Sequence, residues 1–207
     1  MIKPYYQDKW VTILKGDCRQ ILPQLDVREY FPHLTVNKVD LVLTDPPYPD
    51  NHPEYGDCDI DFLNILDCRQ LIFWSPKANF PLSYTAIHIW DKQVGVGSMY
   101  ERIFERNGLG QYKIFRGIPI TCLYRAMRSR DIFSGHKSQK PLYLMRFLVA
   151  YASDIGNLII DPFMGTGSTI GASKQLNRYS IGIEIEEKYC EIAARRCSQE
   201  VMDFSKL

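Results

Sequence analysis

The sequence lacks the overall features that mark several classes of protein. Its 25 lysines and arginines are balanced by 24 aspartates and glutamates, so the net charge of +1 gives no global basic signature for nucleic acid. No apolar run approaches the roughly 20 residues that span a bilayer, and no internal repeat or low-complexity segment is present. At 207 residues, with 45% hydrophobic and 24% charged residues, the composition is typical of one soluble globular domain, residues 1–207.

Cysteine spacing excludes another class of site. The six cysteines contain no CxxC pair and have no histidines at zinc-finger spacing, so no metal site is predicted. Without a signal peptide they are expected to be reduced thiols, which predicts a cytoplasmic protein of bacterial or phage type.

What the sequence does contain is a glycine-broken turn between two predicted strands, within residues 158–186 (LIIDPFMGTGSTIGASKQLNRYSIGIEIE). A buried strand at 158–160 leads through the turn at 161–167 into a helix at 168–175 and a second strand at 179–184. This is half of a nucleotide-binding α/β unit, because glycines let the backbone approach a ligand and the helix N-terminus faces the cleft. The spacing is not GxGxxG, so a tight turn without a ligand stays open as the alternative.

A second motif follows the apolar strand in residues 39–48 (VDLVLTDPPY). Two prolines stiffen the chain and remove backbone donors, which leaves carbonyl oxygens to accept. Asp45 and the carbonyl of Pro46 can accept both N–H hydrogens of an amine on a planar ring, Pro47 stiffens the loop, and Tyr48 can stack on the ring. The alternative is a proline-stiffened loop with a capping aspartate.

Three motifs in this order carry a family resemblance: DPPY at 45–48, HKSQKP at 136–141 and DPFMGTGS at 161–168. Together they resemble the DNA methyltransferases that modify exocyclic amines with S-adenosylmethionine, in the permuted β-type motif order. The resemblance covers residues 10–196. It implies an α/β, Rossmann-like methyltransferase fold, circularly permuted, with a mostly parallel central sheet and helices on both faces. It implies DNA as a partner and S-adenosylmethionine as the cofactor, with no metal, and it allows a homodimer and a companion restriction enzyme.

The resemblance also implies a cofactor site, in which Asp17 contacts the adenine, Glu184 the ribose hydroxyls and Asp161 the methionine amine. Phe163, Gly165 and Gly167 would line the methionine side, and the helix N-terminus that follows the HKSQKP motif would hold the methionine carboxylate. The full set of expected cofactor residues is Asp17, Cys18, His136, Ser138, Gln139, Lys140, Asp161, Phe163, Gly165, Thr166, Gly167, Ser168 and Glu184. The family motif usually reads HPTQKP, so Lys137 and Ser138 depart from it. Asp17 as a helix N-cap is compatible with its implied role.

The basic part of the chain, residues 116–140, lies where the family carries its target-recognition insert, here about 93–135. Arginines interleaved with aromatic residues suit phosphate contacts and stacking, against the alternative of a solvated loop. The expected DNA contacts are Arg116, Arg125, Arg128, Arg130 and Lys137. Lys77 and Lys92, each after a predicted strand, are further candidates to meet a phosphate.

The remaining segments predict the rest of the sheet and its helices. Apolar runs predict strands at 10–14, 71–74 and 85–90, and two strands within 112–124. Apolar faces predict helices at about 19–25, 60–68, 100–106, from 142 onward and at about 187–199. Asp17, Asp45, Asp161 and Glu184 then all follow strands, at the edge where α/β sheets bind ligands.

Three alternatives to adenine-N6 methylation of DNA remain. N4-cytosine enzymes usually begin the motif with serine rather than with an aspartate such as Asp45, which favours N6-adenine. Protein or RNA amine methyltransferases carry the glycine turn before their PPY motif, whereas here it follows. A cofactor-binding module without catalysis would bind the cofactor but transfer no methyl group.

Overall fold

A computed structural model describes residues 2–48, 59–92, 100–116 and 139–199, without the Arg116 side chain. In these ranges nine strands form one sheet in the order β1-β2-β9-β8-β3-β4-β6-β5-β7. The strands are β1 (Tyr6–Gln7), β2 (Val11–Lys15), β3 (Leu41–Thr44), β4 (Arg69–Trp74), β5 (Ala86–Asp91), β6 (Tyr100–Arg106), β7 (Ile114–Arg116), β8 (Leu158–Asp161) and β9 (Tyr179–Glu184).

The middle of the sheet is parallel. The strands β2, β9, β8, β3 and β4 all run in one direction, whereas β6 runs antiparallel to both β4 and β5, and β1 antiparallel to β2. The unit β8 to β9, late in the sequence, lies between β2 and β3, which is the permuted, mostly parallel arrangement predicted. The chain passes from β3 to β4 on one side and from β8 to β9 on the other. The boundary between β3 and β8, where these connections diverge, is therefore the topological switch point of the sheet.

Helices cover both faces of the sheet, as predicted. They are α1 (Cys18–Ile21), α2 (Leu142–Ala152), α3 (Ser168–Gln175) and α4 (Glu187–Ser198), with 3-10 helices at Leu22–Gln24, Val27–Glu29 and Asp61–Ile65. Successive residues of β4 show the two faces. Arg69 donates to the carbonyl of Tyr151 in α2 (3.3 Å), whereas Gln70 donates to the carbonyl of Leu63 (2.9 Å) in the 3-10 helix on the opposite side. None of the helices in the described ranges combines the length and apolar character that a bilayer crossing requires.

One predicted element was wrong. The helix expected at 100–106 is the strand β6, which hydrogen-bonds to β4 on one side and to β5 on the other. Seven residues are too few to stabilise a helix on their own, and the tyrosine, isoleucine and phenylalanine in YERIFER favour a strand between two partners. Two charged residues of this strand are buried and paired: Arg106 donates to Gln70 Oε1 at 2.8 Å and Glu105 contacts His88 Nε2 at 2.9 Å.

Two other predicted helices are shorter than expected. In the first, α1 ends at Ile21 and continues as a 3-10 helix that contains Pro23, a residue without a backbone donor. In the second, only Asp61–Ile65 is helical, as a 3-10 turn, before β4 begins. Residues 100–116 of the expected insert contribute β6 and β7 to the sheet. The rest of the insert, 93–99 and 117–135, lies outside the described residues, so the insert and the single-domain division stay predictions.

Candidate active site

Four acidic residues lie at one edge of the sheet because their strands are parallel neighbours. Asp17 follows β2, Asp45 follows β3, and Asp161 and Glu184 are the last residues of β8 and β9. The carboxyl ends of parallel strands open onto the crevice where α/β proteins bind ligands. Asp45 and Asp161 stand on either side of the switch point.

The glycine turn between β8 and α3 uses its two glycines for different purposes. Gly165 has φ +52 and Gly167 φ +78, in the left-handed region that favours glycine. A Cβ on Gly167 would lie 2.8 Å from the Ala193 Cβ, so this glycine lets α3 pack against α4. A Cβ on Gly165 would meet no atom of the described residues within 4 Å, so the backbone there borders open space.

Asp161 is held by neutral donors. Its Oδ1 accepts a 2.7 Å hydrogen bond from the Thr44 hydroxyl and a 3.2 Å bond from the Phe163 N–H. The carboxyl is almost fully buried, and burial raises its pKa to about 6, although the hydroxyls of Thr169 and Thr44 oppose the shift. Thr44, the last residue of β3, therefore joins the strand that precedes Asp45 to the one that carries Asp161.

Glu184 is also held by neutral donors, both from the backbone. Its Oε2 accepts from the Gly165 N–H at 2.9 Å and its Oε1 from the Glu186 N–H at 2.8 Å. Burial raises the pKa of this carboxyl, against the effect of these bonds. The bonds fix the carboxylate beside the glycine turn and leave it further lone pairs for a ligand.

Asp45, in contrast, is held by charge. The Tyr48 hydroxyl donates to its Oδ1 and the Lys140 ammonium to its Oδ2. Lys140 Nζ also lies 3.2 Å from Glu101 Oε2, and Glu101 Oε1 lies 2.6 Å from Lys92 Nζ. Burial raises the pKa of Asp45 while the Lys140 charge opposes the rise and the Glu101 charge adds to it.

The Tyr48 ring is part of the core rather than an open platform. The residue is only 8% exposed, and its ring packs edge-on against that of Trp74, with 5.7 Å between the centroids. Pro46 is buried and Pro47 is half-buried. Stacking on a planar ring would therefore require Tyr48 to move and to release Asp45.

Asp17 acts as the N-cap of α1, which is the structural role that the sequence had left open. Its carboxylate accepts from the Arg19 N–H at 2.9 Å and pairs with the Arg19 guanidinium at 2.6 Å, which lowers the pKa of Asp17. The neighbouring Cys18 thiol is buried, and burial raises its pKa to about 12, so it is not a reactive thiolate at neutral pH.

The other expected cofactor residues differ in where they lie. Phe163 is half-buried, with its ring 6.0 Å from that of Phe62, and Thr166 is buried. Ser168 is the first residue of α3, and its Oγ accepts from Arg196 at 3.2 Å. Gln139 is half-buried. The Lys140 ammonium contacts Asp45 Oδ2.

The expected DNA-contact residues are almost all outside the described ranges. These are Arg125, Arg128, Arg130 and Lys137, and the cofactor candidates His136 and Ser138 lie there with them. Arg116 ends β7, and its side chain is not described. Among the residues that the structure describes, no three histidine, cysteine, aspartate or glutamate side chains gather as metal ligands.

Sequence reasoning missed Glu101 and Thr44. Glu101 near the start of β6 was hidden by the wrong helix prediction: an antiparallel strand begins, rather than ends, at the carboxyl edge of its parallel neighbours. An antiparallel assignment for 100–106 would have pointed to it. Lys92, expected as a phosphate contact, is instead paired with Glu101.

Comparison with known proteins gives a consistent result. A family model described as DNA methylase, of the N6/N4 type, matches residues 71–195. The type II methyltransferase M.HindIII of Haemophilus influenzae is 40% identical over 138 residues, which is 66% of this chain and 42% of that protein. The matched segments cover only 17% to 42% of the length of six such curated relatives.

Two solved structures share the fold. The M1.HpyAVI–SAM complex superposes with a TM-score of 0.59 at 21% identity, covering 91% of this chain and 100% of that one. The PvuII DNA methyltransferase, described as cytosine-N4-specific, superposes with a TM-score of 0.60 at 13% identity, covering 99% and 92%. At these identities the likeness concerns the fold, a methyltransferase-type α/β sheet.

Proposed function

The chain belongs to the DNA methylase family of N6 and N4 amino-methyltransferases, and on that premise we propose that it transfers a methyl group from S-adenosylmethionine to the N6 amine of adenine in DNA. The observation that carries the proposal is the placement of DPPY against the glycine turn. Asp45 follows β3 and Asp161 ends β8, its parallel neighbour, and the Thr44 hydroxyl joins the two strand ends. A methyl acceptor held by Asp45 and a donor held near Asp161 would thus meet at the switch point.

The residues of the glycine turn fit this cofactor. The open space at Gly165 accommodates a ligand against the backbone, and the fixed Glu184 carboxylate suits a pair of ribose hydroxyls. Asp161 would accept from the methionine amine while Phe163 lines the same side. When bound, S-adenosylmethionine would supply an electrophilic methyl group on a sulfonium, and breaking that S–CH3 bond would leave S-adenosylhomocysteine as the product. The roles that the resemblance assigns to Asp17, Cys18, Gln139, Lys140, Thr166, Gly167 and Ser168, and to His136 and Ser138, belong to this proposal.

The target amine needs help because its lone pair is delocalised into the ring. Asp45 and the Pro46 carbonyl would accept its two N–H bonds and aim the lone pair at the methyl group, with Pro47 stiffening the loop. Alignment and electrostatics then supply most of the rate enhancement, without a covalent intermediate. A base flipped out of a duplex would displace Tyr48 from Asp45 and stack on its ring.

The adenine assignment depends on Asp45 as the first residue of the motif. Since a cytosine-N4-specific enzyme shares the fold, the base must be identified by its product. Labelled cofactor and mixed-sequence DNA, followed by digestion to nucleosides and mass spectrometry, will give N6-methyladenine on this proposal. N4-methylcytosine would retain the mechanism and overturn the base assignment, and bound cofactor without transfer to DNA would favour a binding module.

The proposed DNA surface is the basic segment of residues 116–140. Arg116, Arg125, Arg128, Arg130 and Lys137 would contact phosphates, in line with the local basic character of 116–140. A homodimer is allowed by the family resemblance. Titration of a labelled duplex at two salt concentrations, with sedimentation of the free protein, tests both.

A further inference from the structure

Lys140 lies between two carboxylates from different elements. Its Nζ contacts Asp45 Oδ2 and lies 3.2 Å from Glu101 Oε2. Glu101 is held on its other side by Lys92, at 2.6 Å. Four alternating charges therefore form a chain, Lys92–Glu101–Lys140–Asp45, that runs from the end of β5 through β6 to the proposed target site.

The surroundings make this chain sensitive to each of its members. The Lys140 side chain is 8% exposed, and its ammonium lies 4.9 Å from the Phe73 ring centroid and 5.9 Å from that of Tyr48. Burial alone would lower the pKa of Lys140, but the two carboxylates outweigh it and raise the pKa. Because these four side chains are only 8% to 24% exposed, solvent screens their charges weakly, and removing one charge should change the pKa values of the others.

Both oxygens of Asp45 are engaged in this structure, Oδ1 by Tyr48 and Oδ2 by Lys140. The amine needs one of them as an acceptor. Each oxygen has a second lone pair, but displacing Tyr48 would open Oδ1 to the amine, whereas Glu101, the second carboxylate partner of Lys140, would keep the lysine at Oδ2. Tyr48 is thus the partner of Asp45 that the amine would replace, and Lys140 is the partner that would stay.

We propose that Glu101 is a positioning residue that acts through Lys140. The negative charge of Glu101 partly offsets the positive charge of Lys140 at Asp45. Lys140 then holds the Asp45 carboxylate at Oδ2, while Oδ1 remains a strong hydrogen-bond acceptor. This inference rests on the proposed function and deepens it, since it concerns the same site. Lys92 has the opposite influence, because it neutralises Glu101 and leaves more of the Lys140 charge to Asp45.

The proposal predicts pKa changes of opposite sign at Asp45. The charged or titratable groups that face it are Lys140, Glu101, Tyr48 and, across the switch point, Asp161. The negative charge of Glu101 raises the pKa of Asp45, so Glu101→Gln will lower it. Lys92→Met will raise it. A merely structural disturbance would have no reason to move the two variants in opposite directions.

Carboxyl ¹³C NMR of protein labelled at aspartate measures this pKa, with Asp45→Asn to assign the signal. Glu191→Gln is the matched control, because Glu191 is an exposed acid that pairs with Arg195 at the surface. It will leave the Asp45 titration unchanged. An unshifted Asp45 pKa in Glu101→Gln, or shifts of the same sign in both test variants, would overturn the coupling.

Methyl-transfer kinetics complete the test. Glu101→Gln is expected to lower kcat about tenfold, the effect of weakening one electrostatic contact in the transition state, with cofactor affinity unchanged. Glu101→Asp, which retains the charge, will recover part of the loss. Unchanged kcat despite the shifted pKa would overturn the positioning role. Absence of transfer in the unmutated protein would refute the proposed function itself, whereas the NMR titration judges the coupling without any methyl transfer.

Discussion

The two halves of the carboxyl edge hold their acids in different ways. In the half formed by β8 and β9, Asp161 and Glu184 accept hydrogen bonds from a hydroxyl and from backbone N–H groups. In the half formed by β3 and β6, Asp45 and Glu101 are held by the lysines Lys140 and Lys92. Burial penalises the charged form of all four acids, yet among the described residues opposite charges offset this only in the second half.

This difference suggests that the two halves respond differently when a ligand binds. Neutral donors from the backbone have fixed positions, so the half near the glycine turn is preorganised for a ligand. In the half formed by β3 and β6, by contrast, the hydroxyl of Tyr48 occupies the Asp45 oxygen that the amine would use, while Lys140 lies at the other oxygen. The first half should therefore bind its ligand with little change, whereas the second must rearrange when the target base enters.

The largest expected effect comes from a change confined to the half formed by β3 and β6, called here the target half because it contains Asp45. Asp45→Ala removes the acceptor of the amine hydrogens and should lower methyl transfer by about 10³-fold, as for loss of one preorganised catalytic contact. Cofactor affinity should survive, because Asp161 and Glu184 keep their partners. Filter-bound transfer of the labelled methyl group and calorimetric titration of the cofactor measure the two quantities.

The control for this change is Asp67→Ala, an exposed aspartate before β4 at the opposite edge of the sheet. It should alter neither transfer nor cofactor binding. Activity retained in Asp45→Ala would refute the amine-alignment mechanism, and lost cofactor binding would show that the two halves are not separable.

The same comparison explains what could be predicted from the sequence. The half from 158 to 184 was predicted with its strands, turn and helix in place, because a buried strand, a Gly-x-Gly turn and a short helix are all local patterns. The positions of Asp45 and Asp161 at one edge also followed, since parallel strands end together. Local sequence is sufficient where each element is specified by its own residues.

The target half depends on contacts that are distant in sequence. Whether residues 100–106 form a helix or a strand is decided by β4 and β5 on either side, and neither lies within the segment. The pairing of Lys140 with Asp45 and Glu101 joins three segments, so the family motif gave no indication of it. The hydrogen bond from Thr44 to Asp161 was missed for the same reason, as 117 residues separate the two.

In the half formed by β8 and β9, the buried Asp161 should make the stability of the protein depend on pH. Asp161 has its pKa raised from 3.8 to about 6, so the folded state binds its proton more tightly than the unfolded state. Its contribution to stability is then fully present below about pH 3.8 and is lost as the pH rises through about 6, a change of about 3 kcal/mol. Asp161→Asn, which resembles the protonated acid, lacks this loss.

The measurement is the free energy of unfolding in denaturant for both proteins between about pH 4 and pH 7. The stability of Asp161→Asn relative to the unmutated protein should increase with pH. Thr44→Val, which removes a hydroxyl that favours the charged form, should extend the loss to higher pH. If the free energies of unfolding of Asp161→Asn and of the unmutated protein change with pH in parallel, the raised pKa of Asp161 is contradicted.

The smallest expected effect comes from adding a Cβ at the glycine turn, between the backbone and the proposed cofactor. Gly165 and Gly156 both have positive φ, +52 and +83, and a Cβ on either would meet no described atom within 4 Å. Alanine at each should therefore cost a similar strain, about 1–2 kcal/mol of stability. Only Gly165 borders the proposed cofactor site, since Gly156 precedes β8 at the opposite edge. Gly165→Ala should thus weaken cofactor binding about tenfold, or about 1.4 kcal/mol, while Gly156→Ala leaves it unchanged; equal affinities in a calorimetric titration would place the cofactor away from the glycine turn.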